Sequence, residues 1–176
     1  MQKVILFFSA VIIILCLCAG ALSSSKEKIK WLTMAEAQAE YRKTPKPLLV
    51  DVYTDWCGWC KVMDKETYNN DKVAAYINEH FYAIKFNAEQ KDSVWWAGQR
   101  YGYNAANRVH DLAVYLLGGQ MSYPNTVFVP ELSGRPAPLA GFLKPKEIEA
   151  PLKFFGDGAY KTMNFPEFLK NFSVSW

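Results

Sequence analysis

The sequence predicts an α/β domain, a central mixed β-sheet flanked by helices. Three observations carry this. Short apolar, β-branched runs at residues 48–53 and 126–129 alternate with amphipathic stretches, and the order closes on a hairpin signal followed by a helix. The hydrophobic share is 51% and the charged share 21%, which supplies a core and excludes disorder over most of the length. A length of 176 residues suits one domain of ordinary size. Lysine plus arginine exceed aspartate plus glutamate by three, and one of those is Lys3 near the N-terminus. That balance is no electrostatic footprint for nucleic acid.

Residues 1–21 read as a secretory leader with cleavage near residue 21. Lys3 gives a positive start, residues 4–17 are apolar except for Ser9, and Ala19-Gly20-Ala21 offers a small-residue cleavage site. An apolar run of about 14 residues is shorter than the roughly 20 that span a bilayer, which sets a cleaved leader ahead of an uncleaved anchor. Lipid attachment needs Cys16 or Cys18, and each follows a bulky leucine. The expected location is therefore extracytoplasmic, periplasmic or secreted, with membrane contact only through an uncleaved leader. The mature chain keeps Cys57 and Cys60 in a compartment where disulfides persist, so any internal disulfide joins that pair.

Residues 22–47 form an N-terminal extension. A solvated Ser/Lys-rich start leads to Thr33 and Glu36, whose spacing is that of a capping box opening a helix over 34–42. Pro45 and Pro47 close it, and 48–53 is a buried strand. Residues 57–66 look helical, and 71–80 form an amphipathic helix capped by Asn69 or Asn70. A strand at 81–87 and a helix at 92–101, ended by Gly102, follow. At 107–117 the residues Val109, Leu112, Ala113, Leu116 and Leu117 share a helical face, stopped by Gly118-Gly119. Ser133-Gly134 turns the strand 126–129 into a partner at 137–141. Pro145 opens a helix to residue 155, and 156–176 is a C-terminal extension whose short helix at 165–172 turns its aromatics inward.

The chemistry sits in Asp55-Trp56-Cys57-Gly58-Trp59-Cys60-Lys61, directly after a buried strand and at the start of a helix. A thiolate attacks a disulfide, and a helix N-terminus lowers thiol pKa through its unpaired N–H groups. Cys57 is the expected exposed nucleophile, with Cys60 deeper and resolving the mixed disulfide. A c-type haem site needs His where Lys61 stands. A zinc site has only His80 and His110 to add, at spacings unlike those of zinc modules. A structural disulfide closing so small a loop constrains the unfolded chain little. No metal and no cofactor beyond a redox-active Cys57–Cys60 disulfide is expected.

Residues 48–155 resemble the thioredoxin superfamily. The run from Leu49 through Cys57-Gly58-Trp59-Cys60 to Lys61 matches its strand, active site and helix start. The resemblance implies a thioredoxin fold with a helical insertion, residues 103–122, before a cis-proline loop. It places Asp51 as a buried acid behind Cys60, Lys85 as its partner, Tyr123-Pro124 as the cis-proline loop, and Gly141 as the glycine of the final hairpin. The backbone of Tyr123 is then expected to pair with a substrate chain while Pro124 packs on the disulfide. A buried Asp51 has its pKa pushed up toward that of a useful proton acceptor for Cys60. Trp56 is expected to pack beside the motif, and Trp59 with Gly58 to meet substrate. His110 is read as a solvated helix residue in preference to one beside Cys57, His80 as structural, and Trp95, Trp96 and Trp176 as packing.

Gly58-Trp59 replaces the Gly-Pro of thioredoxin and the x-His of strong oxidants. With the Asp51–Lys85 pair, this favours a reductant or isomerase-like thiol–disulfide oxidoreductase. Its expected partners are exported protein thiols and disulfides and an upstream thiol–disulfide donor or acceptor, with no nucleic acid. The rival is a non-catalytic module that binds exported polypeptides.

Overall fold

The computed structural model describes residues 28–176, so the expected leader, with Cys16 and Cys18, lies outside the described residues. In chain order the elements are α1 (Met34–Lys43), β1 (Leu48–Tyr53) and α2 (Gly58–Met63), which widens into a π-helical turn (Asp64–Tyr68). Then come α3 (Asp71–His80), β2 (Tyr82–Asn87), β3 (Val94–Trp96), β4 (Gln99–Tyr101), β5 (Tyr103–Asn104) and β6 (Val109–His110). The chain ends with α4 (Asp111–Leu116), β7 (Asn125–Val129), β8 (Ala137–Ala140), α5 (Pro145–Gly156) and α6 (Phe165–Lys170).

The main sheet has the order β2-β1-β7-β8, with β1 parallel to β2 and the other pairs antiparallel. β1 is central because Leu48–Tyr53, apolar except for Asp51 and the Tyr53 hydroxyl, is covered on both faces, and such a strand has no need of polar alternation. Leu48, Val50 and Val52 join Phe86, Leu112 and Leu116 in the core under α1 and α4. Leu49 turns the other way, to Met63, Ile77, Phe128 and Ile148 under α2, α3 and α5. Strand side chains alternate, so Asp51 shares the face of Leu49 and is carried beneath α2.

Local signals read from the sequence set several boundaries. Thr33 and Glu36 close the capping box on α1, and Asn70 Oδ1 accepts the N–H groups of Lys72 and Val73 to start α3. Leu32 extends the N-terminal segment along β2, where its N–H donates to Ala83 O at 2.8 Å and the residue bridges Ile84. At the far edge, β8 is four residues long and carries Pro138.

Two expected helices are corrected. Residues 92–101 form a hairpin, β3 against β4, not a helix. Val94-Trp95-Trp96 is strand-forming, and Ala97 and Gly98 take φ of 48° and 82°, the geometry of a two-residue hairpin turn. Trp96 points into the core while Trp95 is 63% exposed, so only one of the pair is packing. The buried Gln38 amide holds the hairpin to α1: Nε2 donates to Trp95 O at 2.8 Å, and Ala97 N–H donates to Oε1 at 3.0 Å. The helix expected from residue 107 begins at Asp111 instead. Arg108 sits at φ 55°, and Val109 and His110 pair with β5.

The C-terminal residues fold back over α5. Phe165 and Phe168 of α6 meet Phe154 with ring centroids 5.2 and 5.4 Å apart. The wholly buried Glu149 carboxylate accepts Lys153 Nζ at 2.8 Å and the backbone N–H groups of Ser175 and Trp176 at 3.0 and 3.1 Å. Trp176 then rests against Tyr76, centroids 5.5 Å apart.

Candidate active site

β1 delivers the site. Beyond Tyr53 the chain turns through Thr54, Asp55 and Trp56, with Cys57 N–H returning to Thr54 O at 3.1 Å. Cys57 caps α2, and its Sγ accepts the N–H of Cys60 at 3.1 Å. The two sulfurs are joined, S–S 2.06 Å, across a Cα separation of 5.3 Å. The expectation of an open Cys57 over a deep Cys60 is corrected, because both are 4% exposed. Sγ of Cys57 is turned inward by the ring closure and by the N–H it accepts.

Asp51 lies one strand length upstream, only 2% exposed and in register with Lys85 on β2 and Thr126 on β7. Lys85 Nζ donates to Asp51 Oδ2 at 2.9 Å. Burial drives the Asp51 pKa up to about 6, and the Lys85 charge and hydrogen bond pull against that rise without cancelling it. Lys85 also bonds Asp64, a member the sequence reading missed. Asp64 stands four residues after Cys60, one helical turn on, and that spacing was the available signal. Burial works to lower the Lys85 pKa, but the two carboxylates prevail and hold it above the ordinary value. Tyr68 and Thr126 share a buried hydroxyl–hydroxyl bond of 2.8 Å in the same layer.

The rim is aromatic. Trp56, expected as packed support, is 66% exposed, as open as Trp59 at 62%. It is nonetheless anchored, since its Nε1–H donates to Glu89 Oε1 at 3.0 Å and its ring meets Tyr123 edge to face at 5.9 Å. Glu89 was also missed. Its N–H donates to Asn87 Oδ1, and Asn87 Nδ2 donates to Asp55 Oδ2, which ties the loop after β2 to the motif. Trp59 lies beside Phe142, centroids 5.6 Å apart, and Gly58 is exposed at the head of α2. The Tyr123–Pro124 peptide is cis, as expected, and Pro124 O accepts the N–H of Gly141 at 2.9 Å.

Neither histidine joins this group. His110 is buried, not solvated: Nδ1 accepts the N–H of Leu112 to cap α4, and Nε2 bonds Asp92 O at 3.1 Å. Burial holds its pKa below the ordinary value. His80 stacks on Tyr76, centroids 4.1 Å apart, at the end of α3.

A disulfide capping a helix after a central strand, with a cis-proline loop on β7, is the arrangement of a thioredoxin domain, and sequence comparison agrees. The family model Thioredox_DsbH, described as a protein of unknown function, DUF255, matches residues 21–148. The chain belongs to this family. Among curated relatives, Uncharacterized protein B0495.5 of Caenorhabditis elegans is 32% identical over 74 residues, 42% of this chain and 10% of that protein. Spermatogenesis-associated protein 20 of Homo sapiens is 30% identical over 59 residues, 34% of this chain and 8% of that protein. The chain thus matches no more than a tenth of the length of these curated relatives. Its structure is similar to that of the DsbH oxidoreductase, with TM-score 0.55 and 15% identity, covering 80% of this chain and 92% of that one. It is also similar to a thioredoxin from Thermus thermophilus, with TM-score 0.52 and 18% identity, covering 73% and 86%. The chain has the thioredoxin fold, with a C-x-x-C disulfide at the head of α2. Among the described residues no helix is long and apolar enough to cross a membrane.

Proposed function

We propose that this protein is an extracytoplasmic thiol–disulfide oxidoreductase that reduces or isomerises disulfides of exported proteins. The observation that carries the reading is Cys57 Sγ accepting the Cys60 N–H at the head of α2, on the sheet face that carries the Asp51–Lys85 pair. In the reduced protein the Cys57 thiolate attacks one sulfur of a client disulfide. A Cys57–client bond forms and the other client sulfur leaves as a thiolate. Cys60 then passes its proton to Asp51 and attacks Cys57 Sγ, closing the ring and releasing the second client thiolate. The client gains two electrons and the protein loses two, and an upstream dithiol restores Cys57 and Cys60. Isomerisation uses the same first step and lets a client thiolate release Cys57.

Asp51 fits the proton step because a carboxyl group with a pKa of about 6 accepts a proton near neutral pH. The apolar stretch at residues 4–17 supports export, and the lack of a histidine between the cysteines favours reduction or isomerisation over oxidation. Trp56, Trp59, Gly58 and the Tyr123-Pro124 loop are the proposed client contacts. Insulin reduction by dithiothreitol tests the reading. Acceleration by the native protein but not by Cys57→Ser supports it, and a background rate leaves a client-binding module. Cys60→Ser is expected to accumulate mixed disulfides with clients, and Cys57→Ser none.

A further inference from the structure

The N-terminal extension adds a residue to the active site from the far side. Residues 28–32 are held in place by Leu32 on β2 and by Asn78, whose Oδ1 accepts the Lys30 N–H at 2.8 Å and whose Nδ2 donates to Lys28 O at 2.9 Å. This delivers the partly buried Trp31 to the ion cluster. Its ring lies 5.2 Å from Lys85 Nζ, and the Tyr53 ring lies 5.1 Å from the same ammonium. The Trp31 ring also meets Tyr68 edge to face, centroids 5.3 Å apart at 86°. A cleft of about 340 Å³ opens here beside Lys85, lined also by Trp31, Asp64, Tyr68, Asn69, Lys28 and Ile29.

We infer that Trp31 is a positioning residue for the thiol–disulfide chemistry: its ring shields one side of Lys85 and keeps water in the cleft from passing the ammonium to Asp51. An ammonium between two aromatic faces is held by their quadrupoles, and a wide ring in the wall of a polar cleft excludes solvent. Lys85 keeps Asp64 as a second anchor, so removal of the ring exposes the pair without releasing the ammonium. The groups facing Asp51 and its lysine are then Lys85 from β2, Asp64 and Tyr68 from the π-helical turn, Tyr53 from its own strand, and Lys28 in the lining of the cleft. Burial is the largest influence on Asp51, so hydration through an opened cleft brings its titration down.

This inference rests on the proposed role of Asp51, and the test separates the two. In the oxidised full chain neither cysteine titrates, so the Asp51 carboxyl carbon is followed by NMR against pH in native, Trp31→Ala and Trp31→Phe proteins. Trp31→Ala is expected to lower the Asp51 midpoint by about one pH unit, a tenfold change in proton affinity, and Trp31→Phe to leave it near the native position. An unmoved or raised midpoint in folded Trp31→Ala overturns the inference. If Trp31→Ala does not fold, Trp31→Val, which still uncovers the ammonium, takes its place with the same expectations. The pH profile of insulin reduction is recorded beside it. A carboxyl midpoint that falls while the rate profile stays put upholds the cover and sinks Asp51 as proton acceptor.

Discussion

Lys85 Nζ donates to Oδ2 of Asp51 at 2.9 Å, while Oδ1 of the same buried carboxylate has no hydrogen-bond partner among the described residues. The pair is therefore half satisfied on the acid's side. On the lysine's side it is doubly satisfied, because Asp64 holds the same ammonium.

Asp51→Ala is accordingly expected to stabilise the oxidised protein near pH 7 and to slow catalysis. The native pKa of about 6 is above the unfolded value, so the native state binds the proton more tightly and loses stability as pH rises from about 4 to about 6. A shift of that size corresponds to roughly 2–3 kcal/mol, which the substitution recovers less the cost of a small cavity. Lys85 keeps Asp64, so no ammonium is stranded. Insulin reduction is expected to fall about tenfold or more with loss of the proton acceptor. Denaturant unfolding across pH 4–7, read as the difference between the two proteins so that His110 cancels, checks the first part. A structural ion pair predicts lower stability with full activity.

Cys57 is expected to be alkylated before Cys60 in the reduced protein. The helix-end N–H of Cys60 already points at Cys57 Sγ, and the same bond stabilises a thiolate there. Brief iodoacetamide treatment followed by peptide mass spectrometry reads the order. Preferential labelling of Cys60 reverses the assigned roles.

Glu149→Ala is expected to release the C-terminal residues and cost about 2–4 kcal/mol, because Lys153 and two backbone N–H groups lose their acceptor together. Burial works to raise the Glu149 pKa, but the bonds from Lys153, Ser175 and Trp176 outweigh it and hold the value at about 2. With a native pKa below the unfolded one, the stabilisation is present in full above about 4.5 and is lost as pH falls toward about 2. Hydrogen exchange of the Ser175 and Trp176 amides in native protein and variant follows the release. Unchanged protection in the variant contradicts the clamp.

Ala97→Gly is expected to stabilise the hairpin by about 0.5–1 kcal/mol, since Ala97 holds a positive φ that glycine adopts freely. Gly98→Ala, at φ 82°, is expected to cost about 1 kcal/mol although a Cβ there meets open space. Thermal unfolding of the two variants checks both signs.

Where one residue carries a strong local instruction, the sequence was readable. Thr33 with Glu36, the apolar run of β1, Asn70 before α3 and Pro145 at the head of α5 each placed an element. The 92–101 hairpin was misread because the alternation of Trp95 and Trp96 is only three residues long. Its turn uses Ala97, a residue with no preference for positive φ. Within the site, the motif and its resemblance named Cys57, Cys60, Asp51 and Lys85, and the fold joins the first two in a disulfide and the last two in an ion pair. Asp64 was not named, although it stands one helical turn after Cys60, and Glu89 and Trp31 were not, because each joins the site through tertiary packing that no short spacing announces. His110 looked solvated for the same reason, since the β5–β6 ribbon, Asp92 O and the Phe86 ring, all distant or tertiary partners, surround it.

Both borders of the four-stranded sheet are blunted. Leu32 lies along β2, and β8 is short and carries a proline that offers no N–H. An open sheet edge risks being used as a template by any unfolded strand it meets, and these borders give such a strand little to pair with. An unfolded chain that meets this domain therefore finds little sheet border to draw into edge-to-edge aggregates.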